Sequence, residues 1–263
     1  MPKSISQKPR VALFVTCLVD LFRPSVGFAS VKLLEDAGCD LEVPMSQTCC
    51  GQPAWNSGDR EDTKDLAKAV IKNFEGYDYI VAPSGSCAGM LKKHYPEVFA
   101  GDAIWEERVE KFAEKVYELT SFLVDVLKVE KVDAIVKADI TYHDSCAGLR
   151  ELGIQEQPRK LVNSIKGVKL KEMKDSDVCC GFGGMFSVKY SDISNSIVTT
   201  KTENIEAASP HMLLAGDLGC LLNMAGKLRR QESSIEVRHV AEVLAGMVDN
   251  APIGERASKS GRP

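Results

Sequence analysis

The stretch SQTCCGQP at residues 46–53 places two cysteines side by side, with a glycine behind them. In a regular strand adjacent side chains point to opposite faces, so a turn is needed to bring both thiols to one side. Gly51 supplies such a turn because glycine adopts a positive φ without steric cost. The motif recurs as SDVCCGFGG at residues 176–184, where Gly181 follows the second pair of cysteines. The two motifs therefore predict two copies of one site.

Two further cysteines accompany each pair at matching spacings. Corresponding cysteines in the two halves are separated by 129 to 133 residues, which indicates duplication of a whole domain rather than an array of short repeats. The first quartet is Cys17, Cys49, Cys50 and Cys87, and the second quartet is Cys146, Cys179, Cys180 and Cys220.

Strand-like and helix-like segments alternate around each quartet. Each half opens with an apolar run that ends in its first cysteine, RVALFVTC and ADITYHDSC, followed by a helix and a strand before the double cysteine. A further strand leads to the last cysteine. This order predicts an α/β fold of two tandem duplicated domains with mainly parallel sheets, related by pseudo-two-fold symmetry. We expect domains at residues 8–128 and 135–250, a linking helix over 104–127 within the first, and a flexible tail over 251–263.

The eight repeated cysteines are candidate metal ligands. In parallel α/β layers the loops beyond the strand ends gather at one edge of the sheet, so distant cysteines converge there. Four thiolates in one pocket suit an iron-sulfur cluster or a tetrahedral zinc ion. Structural zinc sites usually take their ligands from short motifs such as CxxC. Here more than thirty residues separate the double cysteine from the cysteine on either side, so we favour iron and sulfide. Cys39 has no counterpart in the second half and is interpreted as a core residue.

Composition excludes several other classes of protein. The net charge of −4 argues against a positively charged surface that would bind nucleic acid. Lys3, Lys8 and Arg10 before the run VALFVTCLV imitate a signal peptide, but Asp20 soon interrupts the run, and a buried strand explains it better. Nine cysteines without a convincing secretion signal favour reduced thiols in a cytoplasmic protein. CCGFGG lacks the residues of a phosphate or dinucleotide loop.

At these cysteines the sequence resembles the cysteine-rich CCG domain family, which includes a cysteine-rich component of heterodisulfide reductase, the iron-sulfur subunit of glycolate oxidase and the lactate utilization group. The resemblance covers roughly residues 10–248. It implies that each quartet ligates an iron-sulfur cluster, [4Fe-4S] being expected, with one or two clusters per chain. Because no CxxCxxCxxxCP run occurs in this sequence, the pair of domains is most similar to the lactate utilization group.

Members of this family with the full motif carry a fifth cysteine in each half, where Ser84 and Asp217 stand here. Oxygen ligands suit sulfide-bridged iron less well than thiolates, so we expect both side chains to hydrogen-bond sulfurs or amides instead. His143 is either a proton donor or a substrate contact beside the second cluster, or a core histidine with its hydrogen bonds satisfied, the last being the commoner case. Asp144 is interpreted as a turn or cap residue.

Three functional hypotheses follow from these residues and from the resemblance. The first is an electron-transfer subunit of a complex that oxidises L-lactate or a related 2-hydroxy acid to pyruvate, with a ferredoxin-like iron-sulfur subunit and a further subunit as partners. The second is a thiol-disulfide reductase similar to heterodisulfide reductase. The third is a structural zinc-binding interaction module.

Overall fold

A computed structural model describes residues 8–255, which divide into two compact domains at the junction of Val129 and Glu130. Each domain contains one four-stranded sheet in which all neighbouring strands are parallel, flanked by helices. The predicted α/β class and the tandem duplication are confirmed by these two sheets of equivalent strand order.

The sheet of the first domain has the strand order β2-β1-β3-β4. Its strands are β1 (Arg10–Leu13), β2 (Asp40–Glu42), β3 (Tyr79–Ala82) and β4 (Val116–Glu118). The helices are α1 (Cys17–Phe22), α2 (Pro24–Asp36), α3 (Gln52–Ser57), α4 (Arg60–Phe74), α5 (Gly85–Gly89), α6 (Tyr95–Val98), α7 (Glu106–Glu114) and α8 (Leu119–Ser121), with π-helical turns at Met90–His94 and Phe122–Val126.

The sheet of the second domain has the strand order β6-β5-β7-β8, which repeats the order of the first. Its strands are β5 (Ile135–His143), β6 (Lys166–Leu170), β7 (Met212–Ala215) and β8 (Glu236–His239). The helices are α9 (Cys146–Arg150), α10 (Glu156–Asn163), α11 (Met185–Lys189), α12 (Ser191–Ala207), α13 (Leu218–Arg230) and α14 (Val240–Leu244).

The core of each domain lies around its central strands. The run predicted as a buried strand is confirmed, because Val11, Ala12 and Leu13 of β1 are fully buried. Helix α4 begins after Asp59, whose side chain accepts a hydrogen bond from the amide of Asp62, and its apolar stripe, which includes Val70 and Phe74, is buried. No helix within residues 8–255 has the length and apolar character needed to cross a bilayer.

The prediction of one long linking helix over residues 104–127 is wrong. Helix α7 ends at Glu114, and the chain then forms β4, in which Val116 pairs with Ile80 of β3. Val116 is fully buried in this strand. Pairing with β3 overrides the helical spacing, and a strand of three residues is too short to show an alternating pattern.

The flexible tail predicted over 251–263 does not begin at residue 251. Ile253 is only 6% exposed, and its amide donates a hydrogen bond of 2.8 Å to the carbonyl of Val237 in β8. The carbonyl of Gly254 accepts a hydrogen bond of 2.8 Å from Arg229. Residues 251–255 therefore belong to the second domain, and residues 256–263 lie outside the described part of the chain.

Candidate metal centres

The first quartet lies where three parallel strands end. Cys17 begins α1 directly beyond β1, the pair Cys49 and Cys50 follows β2, and Cys87 lies in α5 beyond β3. Parallel pairing aligns the carboxyl ends of these strands at one edge of the sheet. The fold thus brings together cysteines that are distant in sequence, as the spacing predicted.

The sulfur atoms of the first quartet are in direct contact. The Sγ atoms of Cys17 and Cys49 are 3.7 Å apart, and those of Cys50 and Cys87 are 3.5 Å apart. A hydrogen bond between the thiols of Cys49 and Cys50 joins the two contacts. The four sulfurs form one continuous cluster.

The second quartet repeats this arrangement. Cys146 begins α9 beyond β5, Cys179 and Cys180 follow β6, and Cys220 lies in the first turn of α13 beyond β7. Thiol hydrogen bonds connect Cys146 to Cys179, Cys179 to Cys180, and Cys180 to Cys220. The sulfurs of Cys180 and Cys220 also lie within 4.8 Å of a ring nitrogen of His143.

A glycine turn orients each cysteine pair. Gly51 and Gly181 have φ values of 82° and 80°, in the region that glycine alone adopts without strain. The amide of Gly181 donates a hydrogen bond of 3.3 Å to the sulfur of Cys179. The amide of Gly51 makes the equivalent bond to Cys49. The turn therefore aims a backbone donor at the first sulfur of each pair.

Negative charge concentrates on the first cysteine of each pair. The hydrogen bond that Cys17 donates lowers the pKa of Cys49 to about 2, and the bond from Cys146 lowers the pKa of Cys179 to about 2. Sharing a proton with Cys49 correspondingly raises the pKa of Cys17, with a further contribution from burial. Deprotonation of all four thiols therefore requires a cation, because each thiolate opposes the ionisation of its neighbours.

Ser84 and Asp217, where the family resemblance implies a fifth cysteine, are helix caps. Ser84 Oγ accepts a hydrogen bond of 3.2 Å from the amide of Cys87, and Asp217 Oδ1 accepts one of 3.2 Å from the amide of Gly219. Both side chains are 5% exposed. The expectation that these oxygens bond to amides is confirmed.

Two side chains that sequence reasoning missed anchor the cysteine turns. The hydroxyl of Tyr95 donates a hydrogen bond of 3.0 Å to the carbonyl of Cys50, and the Asn223 side chain donates one of 2.8 Å to the carbonyl of Cys180. Both side chains come from the helical segment that follows the last cysteine of their domain. The two residues differ in type and in their distance from the last cysteine, so the sequence does not show that they make similar contacts.

A buried polar network surrounds the second quartet. Arg159 forms a bidentate ion pair with Asp144, with distances of 2.8 and 2.9 Å, and Ser176 donates a hydrogen bond of 3.0 Å to the same carboxylate. Lys201, which is 1% exposed, donates to the backbone carbonyls of Asp175 and Ser176. The interpretation of Asp144 as a simple turn residue is therefore wrong, since its side chain is the buried partner of an arginine.

His143 is fully buried at the end of β5, and neither ring nitrogen has a hydrogen-bond partner within residues 8–255. Burial, together with the positive charge of Lys201, lowers the pKa of His143 to about 4. The prediction of a core histidine with satisfied hydrogen bonds is wrong. By contrast, His211 accepts a hydrogen bond from the amide of Asp139, and His239 caps α14.

The surroundings of the first quartet are apolar where those of the second are polar. Phe14 precedes Cys17 by three residues, as His143 precedes Cys146, and its ring lies 5.5 Å from that of Phe74. The carbonyls of Thr63 and Ser194 face Gly51 and Gly181 respectively. Val70 lies seven residues after Thr63, and Lys201 lies seven residues after Ser194, so the two occupy corresponding positions. Both are buried, but one is apolar and the other is charged.

Cys39 lies apart from this pattern, between α2 and β2. It is 6% exposed, and burial raises its pKa to about 11. Its amide donates to the carbonyl of Leu34 at the end of α2. These features agree with its interpretation as a core residue.

The family described as "CCG: Cysteine-rich domain" matches this chain twice, over residues 11–92 and 140–225. Each match contains one complete quartet. A solved structure of a hypothetical protein from Helicobacter pylori has a similar fold, with a TM-score of 0.64 and 14% sequence identity. That comparison covers 95% of this chain and 51% of the other.

Two curated relatives have closely similar sequences over nearly their whole length. Lactate utilization protein A from Geobacillus sp. (strain WCH70) is 50% identical over 235 residues, which are 89% of this chain and 98% of the relative. Lactate utilization protein A 2 from Bacillus cereus (strain Q1) is 48% identical over 236 residues, which are 90% of this chain and 98% of the relative.

Proposed function

Because the chain belongs to the cysteine-rich CCG domain family, we propose that it is an iron-sulfur electron-transfer subunit of a complex that oxidises L-lactate, or a related 2-hydroxy acid, to pyruvate. The observation that carries this proposal is the contact of four thiols at the carboxyl edge of each sheet. The substrate class comes from relatives called lactate utilization protein A.

The donor set fits iron-sulfur clusters. Each domain offers four soft thiol ligands, and Ser84 and Asp217 are engaged as helix caps. We therefore assign [4Fe-4S] clusters, one or two per chain, to the quartets Cys17, Cys49, Cys50 and Cys87, and Cys146, Cys179, Cys180 and Cys220. When bound, such a cluster supplies a one-electron redox centre.

The chain's own groups prepare each quartet for a charged cofactor. The glycine turns aim amides at Cys49 and Cys179, and such hydrogen bonds to sulfur offset negative charge. Tyr95 and Asn223 fix the carbonyls of the second cysteine in each pair. These contacts fix the backbone of each cysteine turn, whereas the sulfurs must move apart from their contacts of 3.5 and 3.7 Å to surround a cluster.

Partial exposure of the cysteines supports a role in passing electrons to other proteins. All members of the quartets except Cys50 and Cys180 are intermediate in exposure. Apolar side chains are exposed on the helices next to Cys17, where Leu21 is 71%, Phe22 63% and Phe28 66% exposed. An apolar surface of this kind beside a redox site suits docking of a partner. We assign it to the ferredoxin-like or the further subunit of the complex.

A structural zinc module is the second candidate, and the sulfur distances favour it. Two thiolates bound to one zinc at about 2.3 Å in tetrahedral geometry lie about 3.8 Å apart. The observed separations of 3.5 and 3.7 Å are close to this value. Zinc has no redox chemistry, however, and a protein that takes electrons from lactate needs a redox centre. We therefore place the iron-sulfur function first.

Metal and sulfide analysis of anaerobically purified protein tests the proposal. We expect a brown protein with iron and acid-labile sulfide in equal amounts, about four of each per loaded quartet, and an EPR signal after reduction. A colourless protein that holds zinc without sulfide, even after reconstitution with iron and sulfide, would refute the electron-transfer role. The lactate assignment is tested separately by growth on L-lactate of a bacterial strain that lacks its lactate utilization protein A and carries this gene.

A further inference from the structure

His143 combines complete burial with two unsatisfied ring nitrogens. Its exposed fraction is 0%, and within the described chain neither Nδ1 nor Nε2 makes a hydrogen bond. Leaving a buried polar group without a partner costs about 1–3 kcal/mol. A histidine retained in such a place requires a compensating interaction.

Two sulfurs of the second quartet lie close to this imidazole. A ring nitrogen of His143 and the Sγ atoms of Cys180 and Cys220 all lie within 4.8 Å of one another. Lys201 does not satisfy the ring, since its ammonium group donates to the carbonyls of Asp175 and Ser176. The imidazole therefore lies beside the thiol cluster, where its nitrogen is available as a further metal ligand.

The first domain shows that the fold itself does not demand a polar residue at this place. Phe14 occupies the corresponding position three residues before Cys17, fully buried and in contact with the ring of Phe74. An aromatic hydrocarbon therefore fills the site well. The imidazole of His143 is a difference in chemistry between two otherwise equivalent sites.

We propose that His143 is a nitrogen ligand of the metal centre held by Cys146, Cys179, Cys180 and Cys220. This centre then has five protein ligands, one more than the four irons of a simple [4Fe-4S] cube require, whereas the first centre has four. Imidazole binds iron alongside thiolate, and histidine ligation changes the potential of iron-sulfur centres. This inference rests on the proposed function in one respect only, namely that the second quartet holds iron.

Nitrogen hyperfine spectroscopy of the reduced, iron-loaded protein tests the inference. Protein labelled with ¹⁵N in histidine alone is compared with unlabelled protein, which separates imidazole from backbone nitrogen without any substitution. We expect a strong ¹⁴N coupling, typical of a metal-bound nitrogen, that is replaced by the ¹⁵N pattern on labelling. The coupling is lost in His143→Phe, which copies the first domain, and it is retained in the control His211→Phe.

Three results would overturn the inference and are distinguishable from failure of the proposed function. An iron-sulfur signal with no coupling to labelled histidine, or with only the weak coupling of a hydrogen-bonded ring, refutes the ligand role while the electron-transfer function stands. A protein whose first quartet holds an iron-sulfur cluster while its second quartet binds no iron refutes the ligand role alone, and a protein that binds no iron in either quartet refutes both.

Discussion

Ser84 Oγ accepts a hydrogen bond of 3.2 Å from the backbone amide of Cys87, three residues ahead. Asp217 makes the corresponding cap in the second domain through the amide of Gly219. The two oxygens thus fix the helices that carry Cys87 and Cys220. Serine and aspartate therefore have a structural role at the two positions where the family resemblance implies a fifth cysteine.

Replacing the cap should reduce stability without removing the metal. Ser84→Ala is expected to lower the free energy of unfolding by about 1 kcal/mol, the usual cost of losing an N-cap side chain. Iron content should be unchanged, because the four thiols remain. Urea unfolding and iron analysis of the anaerobic protein check both parts, and a loss of iron in this variant would instead identify Ser84 as a ligand.

Single cysteine substitutions should separate the two centres. Cys50→Ala and Cys180→Ala are each expected to remove the iron of one domain, since each removes one of the two inner sulfurs of its quartet, which contact two others. In a chain with both quartets loaded, iron content falls to about half in either variant. The matched control is Cys39→Ala, which replaces a buried cysteine outside the quartets. If the control lost as much iron as the other variants, their loss of iron would be due to misfolding and not to the missing ligand.

The glycines behind the two cysteine pairs should differ in their tolerance of alanine. At Gly51 an added Cβ meets Leu66 at an ordinary distance of 3.6 Å, so the positive φ alone costs about 1 kcal/mol. At Gly181 the Cβ would lie 2.7 Å from the carbonyl oxygen of Ser194. The overlap raises the expected cost of Gly181→Ala to about 3 kcal/mol. Urea unfolding of both variants checks this order, and equal costs would contradict it.

Loss of the buried ion pair of the second domain should lower the free energy of unfolding far more than loss of a surface pair. Arg159→Met leaves the carboxylate of Asp144 buried without its main partner, which is expected to cost about 3 kcal/mol. The control Arg108→Met breaks a pair with Glu75 in which both side chains are more than a third exposed, and it should cost less than about 1 kcal/mol. Similar losses in the two unfolding curves would show that Asp144 does not depend on Arg159.

Repetition made the cysteine sites predictable from the sequence. The eight thiols recur at one spacing, and parallel strand ends meet at one edge, so their convergence follows from topology alone. The capping role of Ser84 and Asp217 follows from the chemistry of hydroxyl and carboxylate groups before a helix. These inferences depend on local pattern and on strand order.

The missed features depend on tertiary contacts. Lys201 lies in a helix among polar residues, and only packing against the second quartet shows that its side chain is buried. Strand β4 was concealed within a helical pattern because three residues are too few for an alternation to appear. The partnership of Arg159 and Asp144 joins a helix to a strand end, and no sequence spacing marks it.

Every strand pairing described for β1 to β4 stays on the amino-terminal side of the junction between Val129 and Glu130, and every pairing of β5 to β8 stays on the other. The thiol contacts obey the same division. A polypeptide severed at that junction would keep each sheet and each set of sulfurs whole within one of its two fragments. Within residues 8–255, each half therefore supplies all the strands of its own sheet and all the sulfurs of its own quartet.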